Sequence, residues 1–163
     1  MRSSESKIVS QQKLKSLVAD HKKRGQTVVF ANGCFDILHV GHKRYLEAAR
    51  QQGDILVVAV NSDASVRTLK GPGRPILDES ARARLVAALR AVDYVVIFSE
   101  PTVVSLLRDL LPNVHAKGTD YSADTVPERA IATELGIQIA IVGDPKNHST
   151  RALLGSLRKA PHG

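Results

Sequence analysis

Residues 28–50 read VVFANGCFDILHVGHKRYLEAAR, and the order of elements in this stretch decides the fold. Thr27 to Ala31 (TVVFA) is a short apolar run with β-branched residues, which predicts a buried strand. Asn32-Gly33 breaks it. A helix is expected from near Gly41 to Gln52, with Tyr45, Leu46, Ala48 and Ala49 on its apolar side and Gly53 as its stop. Strand, turn and helix in that order open an α/β unit.

The same alternation extends in both directions. Upstream, Ser10 can cap a helix that runs to Arg24, buries Leu14, Leu17 and Val18, and stops at Gly25. Downstream, Ile55 to Val60 (ILVVAV) is the unbroken apolar run of a strand covered on both faces. Asn61-Ser62-Asp63 end it, a short helical turn can follow, and Leu69 to Ile76 is a loop by composition. Asp78 caps a helix to Arg90, and Tyr94 to Phe98 is the third strand. Pro101 suits the first position of a helix that ends before Pro112. Val114 to Ala116 is the fourth strand and Gly118 to Val126 a loop. Pro127 starts a helix that Gly136 ends, and Ile137 to Val142 is the fifth strand. Gly143 to His148 is a loop, and Ser149 caps a last helix to about Lys159. Strands alternating with helices predict an α/β, doubly wound, five-stranded parallel sheet. Without a linker, repeat or low-complexity segment, residues 1–163 are expected to form one domain, with 1–25 an N-terminal helix and 161–163 a frayed tail.

The bulk composition narrows the function classes. Of 163 residues, 43% are apolar and 24% charged, the balance of a soluble protein with a sizeable core. Three Phe, three Tyr and no Trp leave that core to Val, Leu, Ile and Ala. No apolar run reaches the roughly 18 residues of a membrane helix, and MRSSESKIVS lacks the apolar stretch of a signal peptide. A cytoplasmic protein without a membrane partner is therefore expected. The single Cys34 fits a reducing compartment and excludes an intrachain disulfide. A formal charge of +7 suits nucleic acid, a membrane surface or small anionic substrates. The basic residues are spread from Arg2 to Lys159, and Lys22-Lys23-Arg24 closes a helix, where cations favour the dipole. With few aromatic side chains to stack on bases, a nucleic-acid partner is not expected.

Ligands of open parallel sheets bind beyond the carboxyl ends of the strands. Four segments fall there, 32–42, 61–63, 117–121 and 143–151, and they hold most of the unusual residues. In the first, Gly33 lets the chain turn sharply and lets a phosphate approach the backbone. Gly41 lies where a helix begins, and helix starts favour anions. His39 and His42, three apart, can point to one side of the first turn. Two imidazoles there can donate to the oxygens that gain charge around a pentavalent phosphorus; a surface pair or a metal pair is the alternative at this spacing. Lys70, Arg74 and Arg82 are candidate phosphate clamps, Arg through its planar fork and Lys as a mobile charge. Asn61 and Asp63 either face an acceptor substrate or simply terminate their strand. Lys117-Gly118-Thr119-Asp120-Tyr121 is either a ligand-facing segment or a turn made of Gly and Asp. Cys34 has no base paired with it in sequence and is a packing residue rather than a nucleophile.

GCFDILHVGH (33–42), in its strand-to-helix setting, resembles the signature of the cytidylyltransferase-like nucleotidyltransferases, whose HxGH element is here His39-Val40-Gly41-His42. The likeness continues through GDILVVAVNSDASVRTLKGPGRPI, AALRAVDYVVIF and KGTDY, and points to the adenylyltransferases of the ADP-heptose pathway. Those enzymes transfer AMP from ATP to D-glycero-β-D-manno-heptose 1-phosphate, often as the second half of a bifunctional protein joined to a sugar kinase. No kinase sequence is present, so the stand-alone form is expected.

The resemblance implies a Rossmann-like nucleotidyltransferase fold with strand order 3-2-1-4-5. It implies that Asn32, Gly33, Cys34 and Phe35 line the nucleotide, and that His39, Gly41 and His42 hold its phosphates. Lys70 is counted with the two histidines as catalytic. Lys117, Gly118, Asp120 and Tyr121 would lie beside base and ribose. Ser149 and Thr150 would take the terminal phosphates, with Arg151 where the family often has a third hydroxyl. Asp36 would orient its turn and, with Asn61, Asp63, Arg74 and Arg82, contact the sugar phosphate; Arg82 matches an arginine common in the family. Mg²⁺ would arrive with ATP, without a dedicated protein metal site, and a homodimer is implied. Two alternatives stand beside this. One is a cytidylyltransferase for glycerol 3-phosphate or another alcohol phosphate, disfavoured by the match outside the motif. The other is a non-catalytic nucleotide- or nucleic-acid-binding module, which the two histidines speak against.

Overall fold

The structure, a computed structural model, describes residues 2–144 and 150–159, the latter with backbone alone at 150–153 and 159. Five parallel strands form one sheet: β1 Val28–Gly33, β2 Ile55–Asn61, β3 Tyr94–Phe98, β4 Val114–Lys117 and β5 Gln138–Ile141. Their spatial order is β3-β2-β1-β4-β5, as the resemblance implies. Between and around them run α1 Gln11–Lys23, α2 Val40–Arg50, α3 Asp63–Lys70, α4 Glu79–Ala87, α5 Val104–Leu110, α6 Arg129–Leu135 and α7 Thr150–Lys159.

The alternation of side chains along each strand divides the core into two layers. Val28, Phe30, Val57, Ala59, Tyr94, Val96 and Phe98 face one way, against Leu14 and Val18 of α1, Leu106 and Leu107 of α5, and Ile131 of α6. Val29, Ala31, Leu56, Val58, Val60 and Val95 face the other, against Leu46 and Ala49 of α2 and Ala83, Val86 and Ala87 of α4. β2 is buried along its whole length, which is why its sequence is apolar without alternation. No helix among the described residues is long and apolar enough to cross a membrane.

Local chemistry sets most of the boundaries. Ser10 Oγ accepts from Lys13 N at 3.2 Å, and Asp78 Oδ1 from Ala81 N at 2.8 Å, so both expected caps are made. Other boundaries move. The chain before α1 is not helical throughout: Glu5–Lys7 make one 3₁₀ turn, and Ile8 bridges Val95 at the edge of β3. α5 begins at Val104 rather than Pro101, because Thr102 Oγ1 accepts from Val104 N and keeps residues 101–103 in a bend. α6 likewise begins at Arg129, two residues past Pro127. α3 is a full helix of eight residues rather than a short turn, started by Ser62 Oγ accepting from Ser65 N. The tail at 161–163 lies outside the described residues.

Candidate active site at the switch point of the sheet

The strand order reverses beside β1, where β2 follows on one side and β4 lies on the other. Crevices form at such points beyond the carboxyl ends of the strands. A cleft of about 330 Å³ lies there. The turn after β1 gives it Asn32, Gly33, Cys34, Phe35 and Asp36, and the start of α2 gives His39, Gly41 and His42. Lys70 reaches it from the end of α3, Arg74 from the loop that follows, and Lys117, Gly118, Asp120 and Tyr121 from the end of β4 and the turn after it. Segments 80 residues apart in the chain are thus brought to one place, as the sequence led us to expect. Thr119, Gly143 and Asp144, from two of the segments expected at the strand ends, also line the cleft, as do Arg44, Tyr45 and Val142, which were not anticipated. Gly143, with φ 97°, lies against the backbone of Tyr45: a Cβ there would meet Tyr45 Cα at 3.3 Å. Ser149 lies outside the described residues, as do the side chains of Thr150 and Arg151; the backbone of the last two opens α7.

The turn after β1 is made differently from the expectation. Gly33 ends the strand, and the left-handed residue is Phe35, with φ 49°. A non-glycine residue in this region is uncommon and is held by its surroundings. Here the Phe35 ring is buried and folds back over Gly33, where a Cβ would meet the ring at 3.0 Å. Gly33 is therefore required by packing as well as by any ligand. The ring then meets His42 edge-on, with centroids 5.2 Å apart.

The two histidines close the start of α2 reciprocally. Gly41 N–H donates to His39 Nδ1 at 3.1 Å, and His39 N–H donates to His42 Nδ1 at 3.3 Å. A ring nitrogen that accepts an N–H carries no proton of its own. Each Nδ1 thus serves as an acceptor, and the two rings stack with centroids 3.8 Å apart and an interplanar angle of 23°. They stand at a helix start, which favours anions.

Charge in the cleft is mostly paired. Arg44 faces Asp144 at 3.1 Å, Arg74 Nε faces Asp36 at 2.6 Å, and Lys117 stands 3.7 Å from Glu128 and 4.7 Å from the centre of the Tyr121 ring. Lys70 has no ion pair among the described residues, and its charge reaches Cys34. Burial pushes the Cys34 thiol up, with Lys70 acting against it, so a thiolate nucleophile is disfavoured. Asp36 is almost fully buried and accepts from Arg74 Nε, Ile76 N and Leu77 N. Burial pulls its acid range up, but these hydrogen bonds outweigh it and hold the carboxyl below the usual value. Burial, and then the acidic neighbours Asp120 and Glu128, push the phenols of Tyr45 and Tyr121 up. Tyr45 donates its hydroxyl proton to Ala116 O at 2.7 Å, tying α2 to β4.

One expectation is corrected outright. Arg82 is no phosphate clamp in this arrangement: its side chain is fully buried. Its guanidinium donates to Leu77 O, Cys34 O, Asn61 O and Asp63 Oδ1, all within 2.7–2.9 Å. It ties the turn after β1, the end of β2 and the start of α4 together. Asn61 is buried too and donates to Ser65 Oγ, while the Asp63 carboxylate faces Arg82. None of the three is among the residues that line the cleft. Their contacts satisfy polar groups inside the protein, which is the strand-ending alternative.

A doubly wound sheet whose switch-point cleft combines a histidine-closed helix start with two lysines and two arginines has the makings of a nucleotide-binding α/β protein. The chain belongs to the cytidylyltransferase-like family, whose model matches residues 30–150. The bifunctional protein HldE of Syntrophotalea carbinolica is 43% identical over 150 residues, covering 92% of this chain and 31% of that protein. HldE of Pseudomonas fluorescens is 46% identical over 157 residues, 96% of this chain and 33% of that protein. The chain thus spans about a third of the length of these relatives. A solved structure, the lipopolysaccharide core biosynthesis protein from Thermoplasma volcanium, superposes with a TM-score of 0.65 at 28% identity, covering 75% of this chain and all of that one.

Proposed function

We propose that the chain is a nucleotidyltransferase that transfers AMP from ATP to a sugar 1-phosphate, D-glycero-β-D-manno-heptose 1-phosphate, releasing pyrophosphate and giving ADP-heptose for lipopolysaccharide precursors. The observation that carries this is the stacked pair of imidazoles, His39 and His42, that closes a helix start in the same cleft as Lys70. The likeness to HldE and to a lipopolysaccharide core biosynthesis protein supports the choice of sugar.

In the reaction, an oxygen of the sugar phosphate attacks the α-phosphorus of ATP, a new P–O bond forms, and the bond to pyrophosphate breaks. The attacking phosphate is already ionised, so no strong general base is needed. His39 and His42 donate hydrogen bonds to oxygens that gain charge, and Lys70, in the same cleft, supplies a positive charge. Asn32, Gly33, Cys34, Phe35 and Gly41 form the floor for the nucleotide. Lys117, Gly118, Asp120 and Tyr121 border its base and ribose; Ser149, Thr150 and Arg151, whose side chains lie outside the described residues, would take its terminal phosphates. Arg74 faces the acceptor phosphate and is held there by Asp36. Mg²⁺ would arrive with the nucleotide, whose triphosphate charge it would neutralise. The working form is a cytoplasmic homodimer. The test is pyrophosphate release with each of the four nucleoside triphosphates, offered heptose 1-phosphate or glycerol 3-phosphate. ATP with the heptose phosphate is the expected pair; faster turnover with CTP and glycerol 3-phosphate would replace this function with the cytidylyltransferase one.

A further inference from the structure

Under the cleft lies a histidine that the proposed reaction does not use. His115 is fully buried in β4, with Phe30 of β1 as its register partner and the Phe30 ring edge-on at 5.3 Å. Its Nε2 is 2.9 Å from Asn32 Oδ1, and its Nδ1 has no hydrogen-bond partner among the described residues. That asymmetry decides where the proton sits. An Nδ1–H tautomer would bury a donor with nothing to accept it, and would need the Asn32 amide reversed to offer its NH₂. The Nε2–H tautomer leaves only a bare lone pair and satisfies Asn32 Oδ1. Protonation of both nitrogens is disfavoured as well: burial, with Lys117 adding to it, lowers His115 to about 3.

We propose that His115 is a positioning residue that holds the Asn32 carboxamide with its oxygen turned into the protein and its NH₂ turned to the cleft, where it donates to an acceptor atom of the bound nucleotide. Asn32 lines the cleft, so the end of its amide that faces the ligand matters. A carboxamide can present either end, and a carbonyl oxygen would repel an anionic ligand where an NH₂ attracts it. A single buried donor beneath Asn32 selects between the two. This role rests on the nucleotide-binding function proposed above, but the state of the pair does not depend on it.

Two measurements test the proposal. Calorimetric titration of Mg-ATP compares the wild type with Asn32→Ala, His115→Phe and the double variant. Each single change is expected to weaken binding about tenfold, the scale of one hydrogen bond to a ligand. The double variant should bind no more weakly than Asn32→Ala, because His115 acts only through Asn32. His115→Gln, which keeps a donor, should recover part of the loss. Side-chain nitrogen shifts in the nucleotide-free wild type should report His115 with its proton on Nε2 at neutral pH, a readout that needs no variant to fold. An Nδ1–H tautomer, an unchanged affinity in His115→Phe, or fully additive losses would each overturn the proposal while wild-type binding stands. A wild type that binds no nucleotide would overturn the functional reading itself and be recognised by that.

Discussion

His39 and His42 each have two jobs that substitution can separate. His39 caps α2 through Nδ1, and Asn is among the best capping residues. His39→Asn should therefore keep the melting temperature at or above that of the wild type. Without the imidazole donor, kcat should fall by about 10²–10³. A parallel loss of stability and activity would mean that His39 serves the fold alone. His115 gives a prediction with a sign. The unfolded chain takes up its proton near 6.5, the folded protein only near 3. Between those values the unfolded state binds more protons, so stability falls as pH is lowered through the window, by about 1.4 kcal/mol per pH unit from this group. Denaturant unfolding of wild type and His115→Phe at pH 7, 6 and 5 should reveal a stability difference that moves against the wild type on acidification; a constant difference would contradict the buried neutral ring. Single residues were unevenly legible in the sequence. The HxGH pair stands out because its members are local. The partnership of His115 with Asn32 joins neighbouring strands 83 residues apart in the chain and leaves no local mark. Arg82 looked like a clamp because charge is visible in a sequence and burial is not.

At the scale of elements, the loop between α3 and α4 depends on Asp36. Its buried carboxylate accepts from Arg74, Ile76 and Leu77, and so fastens the segment that carries Arg74 to the turn after β1. Asp36→Asn removes the charge from that junction. The amides of Ile76 and Leu77 should then exchange hydrogen much faster, while those of β1 and β2 keep their protection; uniform acceleration or none would argue against the fastening role. Arg82→Leu removes four hydrogen bonds at once and leaves their acceptors behind. A loss of about 3 kcal/mol is expected, as for breaking a buried ion pair, and an unchanged denaturation midpoint would contradict the tie it makes. Strands were legible because β2 and β3 are continuous apolar runs. Helix starts were less so. Pro101 and Pro127 mark where a helix can begin, but Thr102 bonding and the turn before Arg129 delay both. α3 is only eight residues long and buries only Ser65 and Val66, so its sequence reads as a short turn.

For the molecule as a whole, alternation of strands and helices foretold a parallel sheet, but not which strands are neighbours. The order came from likeness to a family, since periodicity along a chain carries no information about position across a sheet. The charge of +7 is dispersed, and part of the basic surface is paired: Lys43 with Glu47, Arg108 with Glu134, Arg129 with Asp124. Binding to DNA should accordingly be weak and sequence-independent, vanishing as salt rises to physiological levels; a tight, sequence-dependent shift in a gel assay would oppose this. The cleft instead combines donors and cations suited to a small phosphorylated ligand. Pyrophosphate release is the most direct measure of that claim, taken across ATP, CTP, GTP and UTP with heptose 1-phosphate and with glycerol 3-phosphate. The structure and the family likeness together predict the highest kcat/KM for ATP with heptose 1-phosphate. The absence of pyrophosphate release with every pair, from protein that is folded, would contradict it.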